Sequence, residues 1–113
     1  MNTKELCDLA VDALEDIKGI DIKVLDVINK SAVTDIMVFA SGNTSRQVKA
    51  LANSVADKAK KAGSPALGFE GDATNEWILV DLGDVVVHVM QPAVREFYNL
   101  EKLWGEDSPA SSE

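Results

Sequence analysis

Apolar residues near the N-terminus recur at helical spacing. Leu6, Leu9, Ala10, Ala13, Leu14 and Ile17 fall at i, i+3, i+4, i+7, i+8 and i+11, a single stripe that predicts a helix over Thr3–Lys18 with Gly19 as its stop. Glu5, Asp8, Asp12, Glu15 and Asp16 lie on the opposite side, either as a solvated face or as an acidic docking face. Cys7 flanks the stripe beside Leu14, where a small packed hydrophobe is expected rather than a reactive thiol. Ile20–Ile28 then predicts a strand, followed by a polar connection through Asn29, Lys30 and Ser31. Ile36–Ala40 is apolar at every position, so it predicts a central strand covered on both faces.

A second helix opens at Thr44, where Gln47 three residues on completes a capping-box pattern. Val48, Leu51, Ala52, Val55, Ala56 and Ala59 form its stripe, and Gly63 ends it. Pro65–Glu70 predicts a short edge strand, because proline is tolerated at a strand start and at an edge. After the polar loop Gly71–Glu76, period-two alternation of β-branched residues predicts a hairpin over Trp77–Gln91. With Leu82-Gly83 as its loop, Trp77 is placed opposite His88, Leu79 opposite Val86, and Asp81 opposite Asp84. Ile78, Val80, Val85, Val87 and Val89 share the other face, which is plainly core. Pro92 suits the first position of a last helix, in which Phe97, Leu100, Leu103 and Trp104 share one face.

The predicted order is α-β-β-α-β-β-β-α, a mixed α/β domain with one mixed five-stranded sheet and flanking helices. Strand, helix and strand across the middle imply a parallel crossover, with an antiparallel hairpin on each side. The expected boundaries are one domain over residues 1–104 and a disordered acidic, serine-rich tail over 105–113.

Composition narrows the function. The chain has 113 residues, 46% of them hydrophobic, enough for one core. No stretch approaches the length of a membrane span, no signal-peptide core is present, and a lone cysteine makes no internal disulfide; a cytoplasmic location is expected. A net charge of -8 argues against non-specific binding to bare nucleic acid and suits a basic protein partner. Arg46, Lys49, Lys58, Lys60 and Lys61 form the one basic patch, which complements the second helix's dipole and leaves at most a peripheral RNA contact.

Both tryptophans, the only tyrosine and the only histidine fall between Trp77 and Trp104. Asp81 and Asp84, with Asp35, are the best carboxylates for a divalent cation, the basis of an alternative reading as a small metal-dependent nucleotide-binding enzyme. Aspartate is also a preferred turn residue, which explains the pair without a metal. Ser41, His88 and Asp81 could be drawn as a triad, but no nucleophile elbow supports it. No Walker-type loop, dinucleotide fingerprint or zinc-ligand set is present, so no cofactor, metal or catalytic residue is expected. Trp, Tyr and Met among aliphatic residues instead match the composition of a protein interface.

The pattern W-x-x-x-D-x-G-D-V-x-V-H-V, followed by R-x-F-Y-x-L-E-x-L-W, resembles the ribosomal silencing factors of the Iojap-like family. Further matches are S-x-x-T-D before an apolar strand ending in S-G, the T-S-R-Q helix start, and L-G-x-E-G at Leu67 to Gly71. The resemblance implies a non-catalytic translation regulator with a nucleotidyltransferase-like fold lacking the catalytic carboxylates. It implies binding to the large ribosomal subunit at the basic protein numbered fourteen, a block to subunit joining under nutrient limitation, and a possible homodimer. Carried onto this sequence, the implied partner-binding residues are Trp77, Leu79, Asp81, Asp84, Val86, His88 and Met90 with Tyr98, Glu101 and Lys102.

Overall fold

A computed structural model of the chain describes residues 1–28, 34–71 and 74–98, the side chains of Phe97 and Tyr98 excepted. The elements are α1 (Thr3–Asp16), β1 (Ile20–Asp26), β2 (Ile36–Ser41), α2 (Ser45–Lys61), β3 (Gly68–Gly71), β4 (Trp77–Asp81), β5 (Val85–Met90) and α3 (Pro92–Tyr98). Glu101, Lys102, the predicted tail and the connection at 29–31 lie outside the described residues.

The sheet runs β1-β2-β5-β4-β3 and is mixed. β1 is antiparallel to β2, β2 is parallel to β5, and β5, β4 and β3 are successively antiparallel. The parallel pair is thus β2 with β5, and the connection through α2 joins β2 to the far edge. Burial explains the order: every β5 residue is buried and β2 nearly so, whereas β3 is short and largely exposed. Strands apolar on both sides take the centre.

On one face lie α1 and α2, meeting Val38, Ala40, Ile78, Val80, Val85, Val87 and Val89 through Leu6, Ala10, Leu14, Val48, Leu51 and Val55. Leu14 and Leu51 are wholly buried, a difference of roughly 1.5–3 kcal/mol each relative to exposure. Ser54 Oγ donates to the Ala13 carbonyl at 2.9 Å, and Lys58 Nζ reaches Asp12 Oδ2 at 2.6 Å and also Asp16. Those hydrogen bonds raise the Lys58 pKa, Asp12 before Asp16. The predicted basic patch is therefore partly engaged, since Lys61 also pairs with Asp57 at 3.0 Å. The opposite face carries a smaller core of Val27, Met37, Phe39 and Met90, against which Leu25, Trp77 and Val94 pack.

Several element ends differ from the sequence expectation. α1 stops at Asp16, and Ile17 is its C-cap, 37% exposed rather than part of the stripe. The Lys18 and Gly19 amides turn back to the Glu15 and Leu14 carbonyls, which ends the helix with Lys18 at φ 61°. Asn2 and Glu5 supply a capping box at its start. In α2, Thr44 Oγ1 accepts from the Gln47 amide, while Gln47 Oε1 accepts from Asn43 N rather than from Thr44. β1 ends at Asp26, where Val27 drops into the smaller core and Asp26 Oδ1 accepts from the Ile28 amide. β3 begins at Gly68, three residues later than the sequence suggests, although Leu67 N already bonds the Asp81 carbonyl.

Candidate functional site

The hairpin register is shifted by two residues from the sequence expectation. Trp77 faces Met90, Leu79 faces His88 and Asp81 faces Val86. Leu82 N bonds the Val85 carbonyl, so Gly83-Asp84, not Leu82-Gly83, forms the turn. Gly83 takes φ 95°, the positive angle that the first position of such a turn demands, and Asp81 Oδ1 accepts from its amide at 2.8 Å. That side-chain capture extends the ladder by one pair. A two-residue shift of register preserves faces, so Trp77, Leu79, Asp81, Val86, His88 and Met90 still share one side.

Cross-strand partners on that side form rows. One row runs Glu70, Leu79, His88, Phe39 and Lys23 from β3 to β1, and another runs Gly68, Asp81, Val86, Met37 and Leu25. Exposure falls along the first from Glu70, exposed, through Leu79, half-buried, to His88 at 7% and Phe39 at 0%. Trp77 and Asp81 are half-buried, Asp84 is exposed, and Val86 is buried at 8%. The accessible part of the face therefore lies over β4 and β3. A shallow groove of about 330 Å³ lined by Glu70, Gly71, Trp77 and Leu79 marks it. Met90 is not at the surface: wholly buried among Val27, Met37 and Phe39, it supports the face. Of the residues expected on the last helix, Tyr98 closes α3, while Glu101 and Lys102 lie outside the described residues.

His88 is the best-defined polar group here. Its ring stacks on Phe39 with centroids 5.0 Å apart and planes 11° from parallel, and Trp77 Nε1 donates to its Nδ1 at 3.2 Å. An indole N–H can only donate, so Nδ1 is unprotonated and the imidazole neutral. Burial lowers its pKa to about 4.

The catalytic constellations do not assemble. Ser41 Oγ accepts from Arg95 Nη1 at 2.9 Å, while His88 serves Trp77 and Asp81 serves the turn. Asp84 Oδ2 accepts from Thr3 Oγ1 at 3.1 Å, and its carbonyl accepts from Thr34 Oγ1 and from the Asp35 and Ile36 amides. Asp84 is thus a structural junction between the turn, α1 and the start of β2. Among the described residues no three His, Cys, Asp or Glu side chains gather where they could hold a metal, so the metal-dependent reading lacks its ligand cluster. Glu70 and Gly71 are the site residues that sequence reasoning missed. The signal was the edge strand itself, whose pairing with Trp77–Asp81 places Glu70 beside Leu79.

Comparison with known proteins adds ancestry. Residues 1–113 match the family described as "Ribosomal silencing factor during starvation". A Chromobacterium violaceum relative named ribosomal silencing factor RsfS is 53% identical over 110 residues, spanning 97% of this chain and 90% of the relative. A crystal structure of a protein from the same organism superposes with a TM-score of 0.91 at 51% identity, covering 100% of this chain and 94% of that one. More distantly, a mouse protein named "Mitochondrial assembly of ribosomal large subunit protein 1" is 34% identical over 100 residues, which span 86% of this chain and 44% of the mouse protein.

Proposed function

The chain belongs to the ribosomal silencing factors, a family of translation regulators, and from that premise we propose that it acts in the cytoplasm by occupying the large ribosomal subunit and sterically blocking subunit joining. The contact is made by the accessible part of the sheet face, with Trp77 and Leu79 at its centre and Asp81 at its acidic end, while Asp84, its carboxylate turned to Thr3 of α1, fixes the turn beside it. Val86 and His88 stand behind them. Tyr98, Glu101 and Lys102 join the contact on family resemblance alone. The partner is the basic ribosomal protein numbered fourteen on the intersubunit face, and the response serves nutrient limitation.

One observation carries this reading: a half-buried tryptophan and leucine beside a groove on an otherwise packed sheet, in a chain of net charge -8. Aromatic anchors of this kind dominate protein interfaces, and negative charge complements a basic partner. The mouse relative's name, with its reference to the large subunit, agrees in kind. No catalytic step is needed for a mechanism that works by covering a surface.

The test is titration of the chain into separated ribosomal subunits while their joining is followed by light scattering. Joining is expected to fall with added protein. Trp77→Ala should bind isolated large subunits more weakly by roughly 2 kcal/mol or more, about 30-fold, with native circular dichroism. Undiminished joining at saturating protein would refute the anti-association role, and wild-type affinity in Trp77→Ala would misplace the face.

A further inference from the structure

His88 belongs to the family-like signature, yet its burial leaves almost none of its ring for a partner. What it does touch is specific. Phe39, itself wholly buried, holds the imidazole plane by stacking. Trp77 sits diagonally across from it, two residue pairs along the ladder, with ring centroids 6.0 Å apart, and gives it an indole hydrogen bond of 3.2 Å. Leu79, directly opposite His88, fills the other side of the row. Trp77 is the first residue of β4, where a large side chain has little strand before it to restrain its rotamer.

We propose that His88 is a positioning residue: its Nδ1, braced by the Phe39 stack, fixes the Trp77 indole in the orientation in which it meets the partner. The inference deepens the contact-face reading and depends on it for its effect on affinity. It also specifies the contact. With the indole N–H satisfied inside the chain, Trp77 presents ring carbon to the partner, so the matching patch is apolar or the alkyl stem of a basic side chain rather than a hydrogen-bond acceptor. Ordering the side chain before binding removes a cost that association would otherwise carry, equivalent to roughly three- to tenfold in affinity.

The test combines nitrogen-15 NMR of the free full-length chain with binding to isolated large subunits. The Trp77 indole signal is assigned by its loss in Trp77→Phe, and the only histidine needs no assignment. In the wild type, His88 should be the tautomer protonated on Nε2, and the Trp77 indole proton should exchange slowly. His88→Phe keeps a ring for Phe39 and removes the acceptor; the indole proton should exchange faster and binding should weaken three- to tenfold. His88→Asn sacrifices the stack but places Oδ1 where Nδ1 was. It should restore slow indole exchange and most of the affinity despite lower stability. A merely structural histidine gives the reverse ranking, with Asn the worse binder, and that result overturns the proposal. A wild-type His88 protonated on Nδ1, or unchanged indole exchange in His88→Phe, also overturns it. Should His88→Phe not fold, the wild-type tautomer and His88→Asn decide the matter. Wild-type binding by Trp77→Ala sinks the contact face and with it the effect on affinity, while the indole measurements on the free chain still judge the hydrogen bond.

Discussion

Burial holds His88 at a pKa of about 4, below the ordinary imidazole value of 6.5, and the Trp77 hydrogen bond requires its Nδ1 to be bare. Because the folded-state pKa is the lower one, the unfolded chain takes up a proton first as pH falls. The stabilisation is therefore complete above about pH 6.5 and is lost between there and about pH 4. The difference amounts to about 3 kcal/mol at its limit and about 2 kcal/mol by pH 5. Urea unfolding at about pH 7.5 and 5 should show this loss in the wild type and not in His88→Phe. A wild-type imidazole that titrates near 6.5 by NMR would refute it. The sequence made His88 and Trp77 legible as one surface because strand alternation fixes faces. It did not show that they bond diagonally. That depended on a backbone capture by Asp81, which moves the turn to Gly83-Asp84 and is not visible in residue types alone.

Helix ends carry a similar lesson at the scale of the element. Both α1 and α2 close with the same pair of reversed amide bonds, from Lys18 and Gly19 in the first and from Gly63 and Ser64 in the second. The left-handed position is Gly63 at φ 84° in α2, but Lys18 at φ 61° in α1. A side chain there costs energy that glycine avoids, partly offset by glycine's freer unfolded chain. Lys18→Gly should therefore stabilise the fold by about 0.5–1 kcal/mol, read as a higher urea midpoint with an unchanged slope. A lower midpoint would mean that Lys18 does more than occupy the cap. Gly19 looked like the stop because glycine usually takes the left-handed position. It stands one residue beyond, where the Leu14 carbonyl and Leu51 leave a Cβ only about 3.1–3.2 Å of room. The stripes of α1 and α2 and the two-sided burial of β2 were legible because each is a periodic pattern along one segment. The order of strands was not, since it is decided by which strands can bear burial on both faces together.

Charge acts over the whole molecule, and its effect depends on what the chain approaches. A net charge of -8 is repelled by ribosomal RNA and attracted by a basic ribosomal protein, so salt distinguishes the two landing sites. Among the chain's cations, Lys58 and Lys61 are already paired with Asp12, Asp16 and Asp57, and Lys4 with Asp8. Those pairs offset part of the positive charge that the second helix offers to phosphate. With the Debye length shrinking from about 30 Å at 0.01 M to about 10 Å at 0.1 M, a basic protein site predicts an association rate that falls as salt rises, by roughly tenfold over that range. The dissociation rate should change little, because it is governed by the packed apolar centre at Trp77 and Leu79. Stopped-flow binding of a fluorescently labelled chain to isolated large subunits, at constant magnesium and varied monovalent salt, measures both rates. An association rate that rises with salt would mean that RNA phosphate dominates the landing site and would overturn the basic-protein partner. A flat rate would confine the chain's charge to solubility. A fall confined to association, with dissociation slowed only by restoring Trp77 to a Trp77→Ala chain, would separate charge that guides the approach from the aromatic anchor that holds the complex.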